Sequence, residues 1–339
     1  MSSKPNLLLL TTGGTIATTE TEYGPVNEYD PQELLNKVPE VNEFCNITGE
    51  SVISVDSVNI GYSHWVKLAE KIYEKYDEYD GFVITHGTDT MAYTSAALSY
   101  MLQDLGKTVV LTGGQRSIEE KGGDSNRNFI DAVRFACEDV SGVYIVFSGK
   151  VMFGTRAVKV RTKSYEGFES INCPYIAQVM GNWVKYTGEV RVPNIPDAHP
   201  TLNTNFCTDV LLVKLTPNIK SSFFEKVAKD YKGLIIEGYG NGGIPFEYND
   251  LFSQIKKLSE NGLFVVNTTQ CLEEGTNLGR YAVRNEIKNS NIIDGKDMNT
   301  EAIVTKLMWV LGQTEQQDEA KKLMYKPINN DVSKDWYFG

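Results

Sequence analysis

The chain lacks what a nucleic-acid or membrane partner requires. Lys and Arg total 33 against 44 Asp and Glu, a formal net charge of −11. Phosphate backbones and anionic lipid surfaces are bound through basic patches. No Lys/Arg-rich cluster offsets the acidic balance, so neither partner is expected. Long apolar runs are also missing. Leu7 to Leu10 are too few for the core of a signal peptide and far too few to span a bilayer. A cytoplasmic protein is therefore expected. Histidine is scarce: His64, His86 and His199 are the only three, with none paired at metal-ligand spacing. A His-based zinc site and a Ser-His-Asp triad are thus poorly supported, and no metal or other cofactor is expected. The five cysteines (Cys45, Cys137, Cys173, Cys207, Cys271) are scattered and form no C-x-x-C. Buried or idle thiols are the plain reading.

What is present fits two domains. The 339 residues are long for a single core. Leu7 to Leu10 read as a strand buried on both faces. It breaks at once into Thr11-Thr12-Gly13-Gly14-Thr15. Two glycines permit positive φ and can line up backbone N–H groups as an anion nest. Open α/β sheets place ligands at this end of their strands. Two readings compete. One is a glycine turn of a nucleotide-binding domain, with Thr15 as a local cap. The other makes Thr15 a nucleophile and the nest its oxyanion hole. The turn has neither the G-x-G-x-x-G spacing nor a P-loop lysine, and taken alone it favours the first.

Thr18 to Tyr29 is polar and aperiodic, longer than a usual strand-to-helix loop, and of the kind that serves as a lid. Asp30-Pro31-Gln32-Glu33 predicts a helix start with a capping box. A strand is expected near Ser51–Ser57 and a helix over Ser63–Tyr76. Strand Gly81–Thr85 leads into His86-Gly87-Thr88-Asp89-Thr90 and a buried helix, Met91–Leu102. Strand Thr108–Thr112, helix Ser125–Cys137 and strand Gly142–Phe147 follow. Alternation of this kind predicts an α/β fold with a parallel, doubly wound sheet. Three prolines between Arg191 and Pro200 mark a linker, after which the pattern restarts. The expected division is an N-terminal catalytic domain over 1–192, a linker over 193–208 and a smaller C-terminal α/β domain over 209–339.

Thr88-Asp89-Thr90 can be simple helix capping, with Asp89 favoured by the helix dipole. Two threonine-rich turns on one sheet edge raise a sharper reading. A hydroxyl nucleophile needs a base or a lowered pKa. With no suitable histidine, a lysine beside a carboxylate is the obvious candidate. Lys159, between Val158 and Val160 on a strand-like alternation, is that lysine, although a single lysine is usually solvated.

Thr12-Gly13-Gly14-Thr15-Ile16-Ala17 and Ile84-Thr85-His86-Gly87-Thr88-Asp89-Thr90-Met91 together resemble the bacterial-type L-asparaginases. The resemblance extends over nearly the whole chain. Gln270-Cys271, Asp297-Met298, and Glu301-Ala302 with Lys306-Leu307 resemble the cytoplasmic type I branch. It implies a larger N-terminal parallel-sheet, flavodoxin-like domain and a smaller C-terminal α/β domain. It also implies hydrolysis of L-asparagine to L-aspartate and ammonia, with weaker use of L-glutamine and no cofactor. By motif, Thr15 is the nucleophile that forms an acyl-enzyme, and Thr88, Asp89 and Lys159 form a second activating cluster. Tyr23 matches the lid tyrosine that orients Thr15. Ser57 matches the residue holding the substrate α-carboxylate, followed here by Val58 where the family is usually polar. Asp89 takes the α-ammonium, and the backbone at Gly14 and Gly87 lies against the substrate. The resemblance further implies active sites shared between subunits, hence a homodimer or homotetramer, with Gly240-Asn241-Gly242-Gly243 contributed by the second domain. Type I members often have a separate asparagine effector site, placed here near Thr269, Gln270 and Cys271. Two alternatives stand beside this reading. One is the asparaginase-like subunit of a glutamine-dependent tRNA amidotransferase, a type that carries an extra amino-terminal domain, whereas the first motif here starts near Met1. The other is a non-catalytic asparagine-binding module.

Overall fold

A computed structural model describes residues 4–21, 24–247, 250–276 and 290–333. The chain divides into two compact units, Met1–Thr204 and Asn205–Gly339.

The first unit runs β1 (Asn6–Thr11), β2 (Thr18–Thr21), β3 (Gly24–Glu28), α1 (Pro31–Lys37), β4 (Asn46–Ser51), α2 (Tyr62–Glu74), β5 (Gly81–Thr85) and α3 (Met91–Met101). It continues with β6 (Leu102–Gln103), β7 (Thr108–Thr112), α4 (Ser125–Ala136), β8 (Gly142–Phe147), β9 (Lys150–Phe153), β10 (Ala157–Lys159), β11 (Phe168–Ser170), β12 (Ala177–Met180), β13 (Trp183–Tyr186) and β14 (Thr201–Leu202). Among the described residues its main sheet has the order β13-β12-β9-β8-β7-β5-β1-β4. β4, β1, β5, β7 and β8 are parallel. Renumbered in chain order, these five strands read 2-1-3-4-5, the flavodoxin-like arrangement. The last three strands are antiparallel additions. The first of them turns back at Ser148 (φ 50) and Gly149 (φ 73), two successive positive φ angles of the sort that suit a tight hairpin.

β1 has a parallel neighbour on each side, and Leu7 to Leu10 are all fully buried, as four unbroken leucines predict. Leu7 and Leu9 join the core beneath α1 and α4, with Phe129, Val133 and Phe135. Asp30 accepts from the Glu33 N–H at 2.7 Å while Glu33 accepts from the Asp30 N–H at 3.0 Å, completing the expected capping box.

Two local readings need correction. Thr18–Tyr29 is not an irregular loop: β2 and β3 pair as an antiparallel hairpin, with an irregularity at Thr18/Thr19. Its polar sequence concealed it, because no apolar alternation marks a face. The second strand spans Asn46–Ser51 and not Ser51–Ser57. The apolar residues that suggested the later register, Val52, Ile53 and Val55, lie just past it. Their N–H groups bond the carbonyls of Thr11 and Thr12 and wrap the chain over the end of β1.

Pro193 and Ile195 both bond Ser141: the Ser141 N–H donates to the Pro193 carbonyl, and the Ile195 N–H to Ser141 Oγ, each at 2.9 Å. β14 pairs with β6.

The second unit has a parallel sheet of order β15 (Val210–Lys214), β16 (Gly233–Gly238), β17 (Phe264–Thr269) and β18 (Ile293–Asp294). Its helices are α5 (Ser222–Asp230), α6 (Leu251–Glu260), α7 (Thr300–Gln313) and α8 (Gln317–Tyr325). Phe224, Phe252 and Ile255 pack on Leu234, Ile236 and Val265. A Cβ on Gly233 would come closer than van der Waals contact to Leu307 and Leu311 of α7, which places that helix tightly on the sheet.

Candidate active site

In a 2-1-3-4-5 sheet the crossovers leave in opposite directions at the boundary between the first and third parallel strands, and ligands bind at the carboxyl ends there. That boundary is the β1/β5 seam. The turns leaving these two strands carry Thr15 and Thr88.

The two turns touch backbone to backbone. Gly14 has φ +90, and a Cβ on it would lie 2.6 Å from both Cα and N of Gly87. A Cβ on Gly87 would lie 2.5 Å from Ser57 Oγ. Only glycine meets both demands, so Gly14, Gly87 and Ser57 stack directly on one another. Ser57 opens a short 3₁₀ turn, Ser57–Asn59, whose N-terminus is capped by Asp56. Ser57 is buried, accepts from the Asp89 N–H at 3.3 Å, and takes the Thr90 hydroxyl on its carbonyl at 2.7 Å. The next residue, Val58, is strongly exposed.

Lys159, on β10, is held in place by pairing with Phe168 of β11. Its Nζ donates to Thr88 Oγ1 at 2.7 Å and to Asp89 Oδ1 at 2.6 Å. Thr88 is buried; Asp89 faces outward. Residues 71 and 70 apart in sequence thus converge on one ammonium group. Thr15 begins a 3₁₀ turn, Thr15–Ala17, and is exposed while the adjoining Ile16 is fully buried. The Ile16 carbonyl accepts from the Ile118 N–H at 3.3 Å, which ties this turn to the segment after β7. Of the predicted residues, Gly14, Gly87, Ser57, Thr88, Asp89 and Lys159 are brought together around the turn that carries Thr15. Tyr23 lies outside the described residues.

Three further groups brace the site, and sequence reading passed over them. His86 is fully buried, and burial lowers its pKa to about 4, so the ring is neutral. Its ring nitrogens meet the Gly87 carbonyl (2.7 Å) and the Thr94 hydroxyl (2.8 Å), and Thr94 also accepts from Trp65 Nε1 (3.1 Å). The turn after β7 is pinned by Asp124, whose carboxylate takes the N–H groups of Gln115 and Arg116. Asn128 bonds the Gly113 carbonyl and Asp124. The available signals were spacing alone: His86 to Thr94 crosses from strand end to helix, and Asp124 to Asn128 is one helical turn.

This arrangement carries a hydroxyl, a carboxylate and a lysine able to exchange protons, beside a turn that presents a second hydroxyl. It suits acyl transfer at a small amide. Among the described residues no three His, Cys, Asp or Glu gather as a metal centre would require, and no helix is long and apolar enough to cross a membrane.

Comparison with known proteins decides the family. Residues 6–191 match the model of the asparaginase N-terminal domain, and residues 209–324 that of the glutaminase/asparaginase C-terminal domain. The chain belongs to the asparaginase family. An L-asparaginase of Thermococcus kodakarensis is 37% identical over 328 residues, covering 96% of this chain and 99% of that protein. A subunit of the glutamyl-tRNA(Gln) amidotransferase of Pyrococcus horikoshii is 35% identical over 340 residues, covering 97% of this chain and 77% of that one. Among solved structures, L-asparaginase I of Vibrio cholerae superposes with a TM-score of 0.87 at 29% identity, covering 98% of this chain and 100% of that one. As a member of the asparaginase family the chain is an amidohydrolase, and the clustered threonines, lysine and aspartate lie within the matched N-terminal domain.

Proposed function

We propose that this protein is an L-asparaginase of the type I branch that hydrolyses L-asparagine to L-aspartate and ammonia through a threonine acyl-enzyme. The observation that carries the proposal is the Lys159 ammonium held between Thr88 and Asp89, at the strand seam whose other turn presents Thr15. The Thr15 hydroxyl attacks the side-chain amide carbon; its proton passes to the departing nitrogen, ammonia leaves, and a water then cleaves the ester. Thr88 with Lys159 and Asp89 moves protons to and from the reacting oxygen. Backbone N–H groups at Gly14–Thr15 or Gly87–Thr88 stabilise the oxyanion, each good donor being worth roughly 3 kcal/mol. Asp89, exposed on one side, takes the substrate α-ammonium, and Ser57 its α-carboxylate. Glutamine differs from asparagine by one methylene, which a pocket separates by only about 1–3 kcal/mol, so a weaker glutaminase activity follows. An acidic, metal-independent homodimer or homotetramer in a reducing, cytoplasmic setting completes the reading; five free cysteines accord with it.

The amidotransferase relatives support a second reading, in which the same site makes ammonia for transfer to a charged tRNA. Steady-state ammonia release separates the two. The purified chain alone turns over asparagine under the first reading, and does so only in the presence of a partner protein and tRNA under the second. Thr15→Ala and Thr88→Ala are each expected to cut turnover by at least about a thousandfold in the folded protein. Near-native turnover in both would sink the proposed chemistry.

A further inference from the structure

The hydrogen bonds around His86 run in a single direction. A carbonyl has no proton to give, so the contact to the Gly87 oxygen places the hydrogen on His86 Nδ1. The neutral ring then has its lone pair on Nε2, which accepts the Thr94 hydroxyl. Thr94 Oγ1 in turn accepts from the indole N–H of Trp65, which can only donate. The order is therefore Trp65 to Thr94 to His86 to the Gly87 carbonyl. His86 and Thr94 are completely buried and Trp65 nearly so, where misdirected polar groups are costly.

The end of that relay is a peptide of the candidate site. A trans peptide points its C=O and N–H in opposite directions. With the Gly87 oxygen drawn inward to the ring, the Thr88 N–H faces the other way. Two nearby N–H groups are already committed, that of His86 to the Thr112 carbonyl and that of Asp89 to Ser57 Oγ. Among the described residues the Thr88 N–H meets no acceptor of the chain.

We propose that His86 and Thr94 are positioning residues which lock the Gly87–Thr88 peptide so that the Thr88 N–H is aimed at the oxyanion. The proposal rests on the catalytic reading of the site given above. Histidine here is neither base nor nucleophile; it is a rigid strut set by a threonine near the start of α3. Glycine at position 87 makes the strut necessary, because its peptide is otherwise the most easily rotated in the turn.

The test pairs kinetics with a tautomer measurement. Thr94→Val keeps the shape and removes the hydroxyl; it is expected to lower kcat for asparagine about five- to tenfold with KM within about twofold of native, a fraction of the loss from deleting an oxyanion donor outright. Thr94→Ser is expected to restore kcat to within about twofold. In the native enzyme, nitrogen-15 NMR should show His86 neutral with the proton on Nδ1, and Thr94→Val should mix the tautomers. Native kcat in Thr94→Val, a KM-only effect, or an Nε2-protonated native ring overturns the proposal. Should Thr94→Val fold poorly, the native tautomer and the Thr94→Ser kinetics still decide. Failure of the underlying reading looks different: Thr15→Ala would then turn over normally whatever Thr94 does.

Discussion

Two lysine–aspartate pairs in this molecule have the same length and opposite meanings. Lys159 meets Asp89 at 2.6 Å, with side chains 17% and 53% exposed. Lys306 meets Asp331 at 2.6 Å, with both side chains fully buried. The first sits at the open carboxyl edge of a parallel sheet, beside a threonine hydroxyl. The second lies inside the C-terminal unit, where Lys306 also donates to the Lys326 carbonyl at 2.7 Å. Distance does not tell the two apart; burial does. A pair whose carboxylate stands in solvent contributes little to stability, typically under about 1 kcal/mol. A buried pair is hazardous to break, because the survivor is left charged and dry. An ion pair that stabilises little and lies next to a hydroxyl fits the proton-transfer role proposed for it.

The largest expected effect breaks the first pair. Lys159→Met should lower asparagine turnover by about 10²- to 10⁴-fold, the range over which a positioned proton-transfer group acts. The unfolding midpoint in urea should barely move, corresponding to less than about 1 kcal/mol. A variant that loses activity only because it unfolds would show that Lys159 is structural and erase the contrast.

Lys306→Met should do the reverse. It takes the lysine away from a fully buried carboxylate and is expected to cost about 3–5 kcal/mol, read as a lowered urea midpoint. Asp331 also accepts from the Ile328 N–H at 3.0 Å, a donor it keeps when Lys306 is lost. Replacing both partners with apolar residues should recover part of the loss, since an apolar pair carries no desolvation cost. A midpoint unchanged in Lys306→Met would mean that the pair is wetter than its burial implies.

The same contrast shows which parts of the molecule were legible in sequence. Where one residue type had one physical job, the reading was direct. Four leucines could only be a doubly buried strand, and Asp30-Pro31-Gln32-Glu33 could only start a helix. The Lys159 alternation pointed to a strand, and β10 is one, although its convergence with Thr88 rested on family resemblance, because seventy intervening residues carry no local signal. Polar strands were the blind spot. The sequences of β2, β3 and β4 carry no apolar alternation; β2 and β3 pair only with each other among the described residues, and β4 pairs with the distant β1. His86 was set aside as neither ligand nor base; its use of both ring nitrogens depends on Thr94 and Trp65, which only packing brings together. The role of Lys306 as half of a buried pair was equally invisible, since Asp331 is 25 residues on and across the unit.

A third acid marks the limit of the comparison, because no lysine neutralises it. Glu301 lies in the first turn of α7, and its Oε2 has no partner among the described residues. Burial, reinforced by the nearby carboxylate of Glu237, raises its pKa to about 7. Glu237 is itself engaged, accepting from Thr300 Oγ1 at 2.7 Å and facing Lys214 at 3.9 Å. In the unfolded chain Glu301 ionises near its ordinary value, so as pH rises from there through about 7 the unfolded state sheds this proton first. The fold therefore favours the protonated carboxyl, and stability falls across that window. Glu301→Gln keeps the shape and removes the titration. It should leave the urea midpoint nearly unchanged near pH 4.5 and raise it by about 1–3 kcal/mol near pH 8.5, a tenfold change in proton affinity being worth about 1.4 kcal/mol before solvent relaxation. A midpoint difference that stayed flat with pH would mean that a cation, from this unit or another copy, already neutralises Glu301, and would make it a third ion pair in place of the unpaired acid.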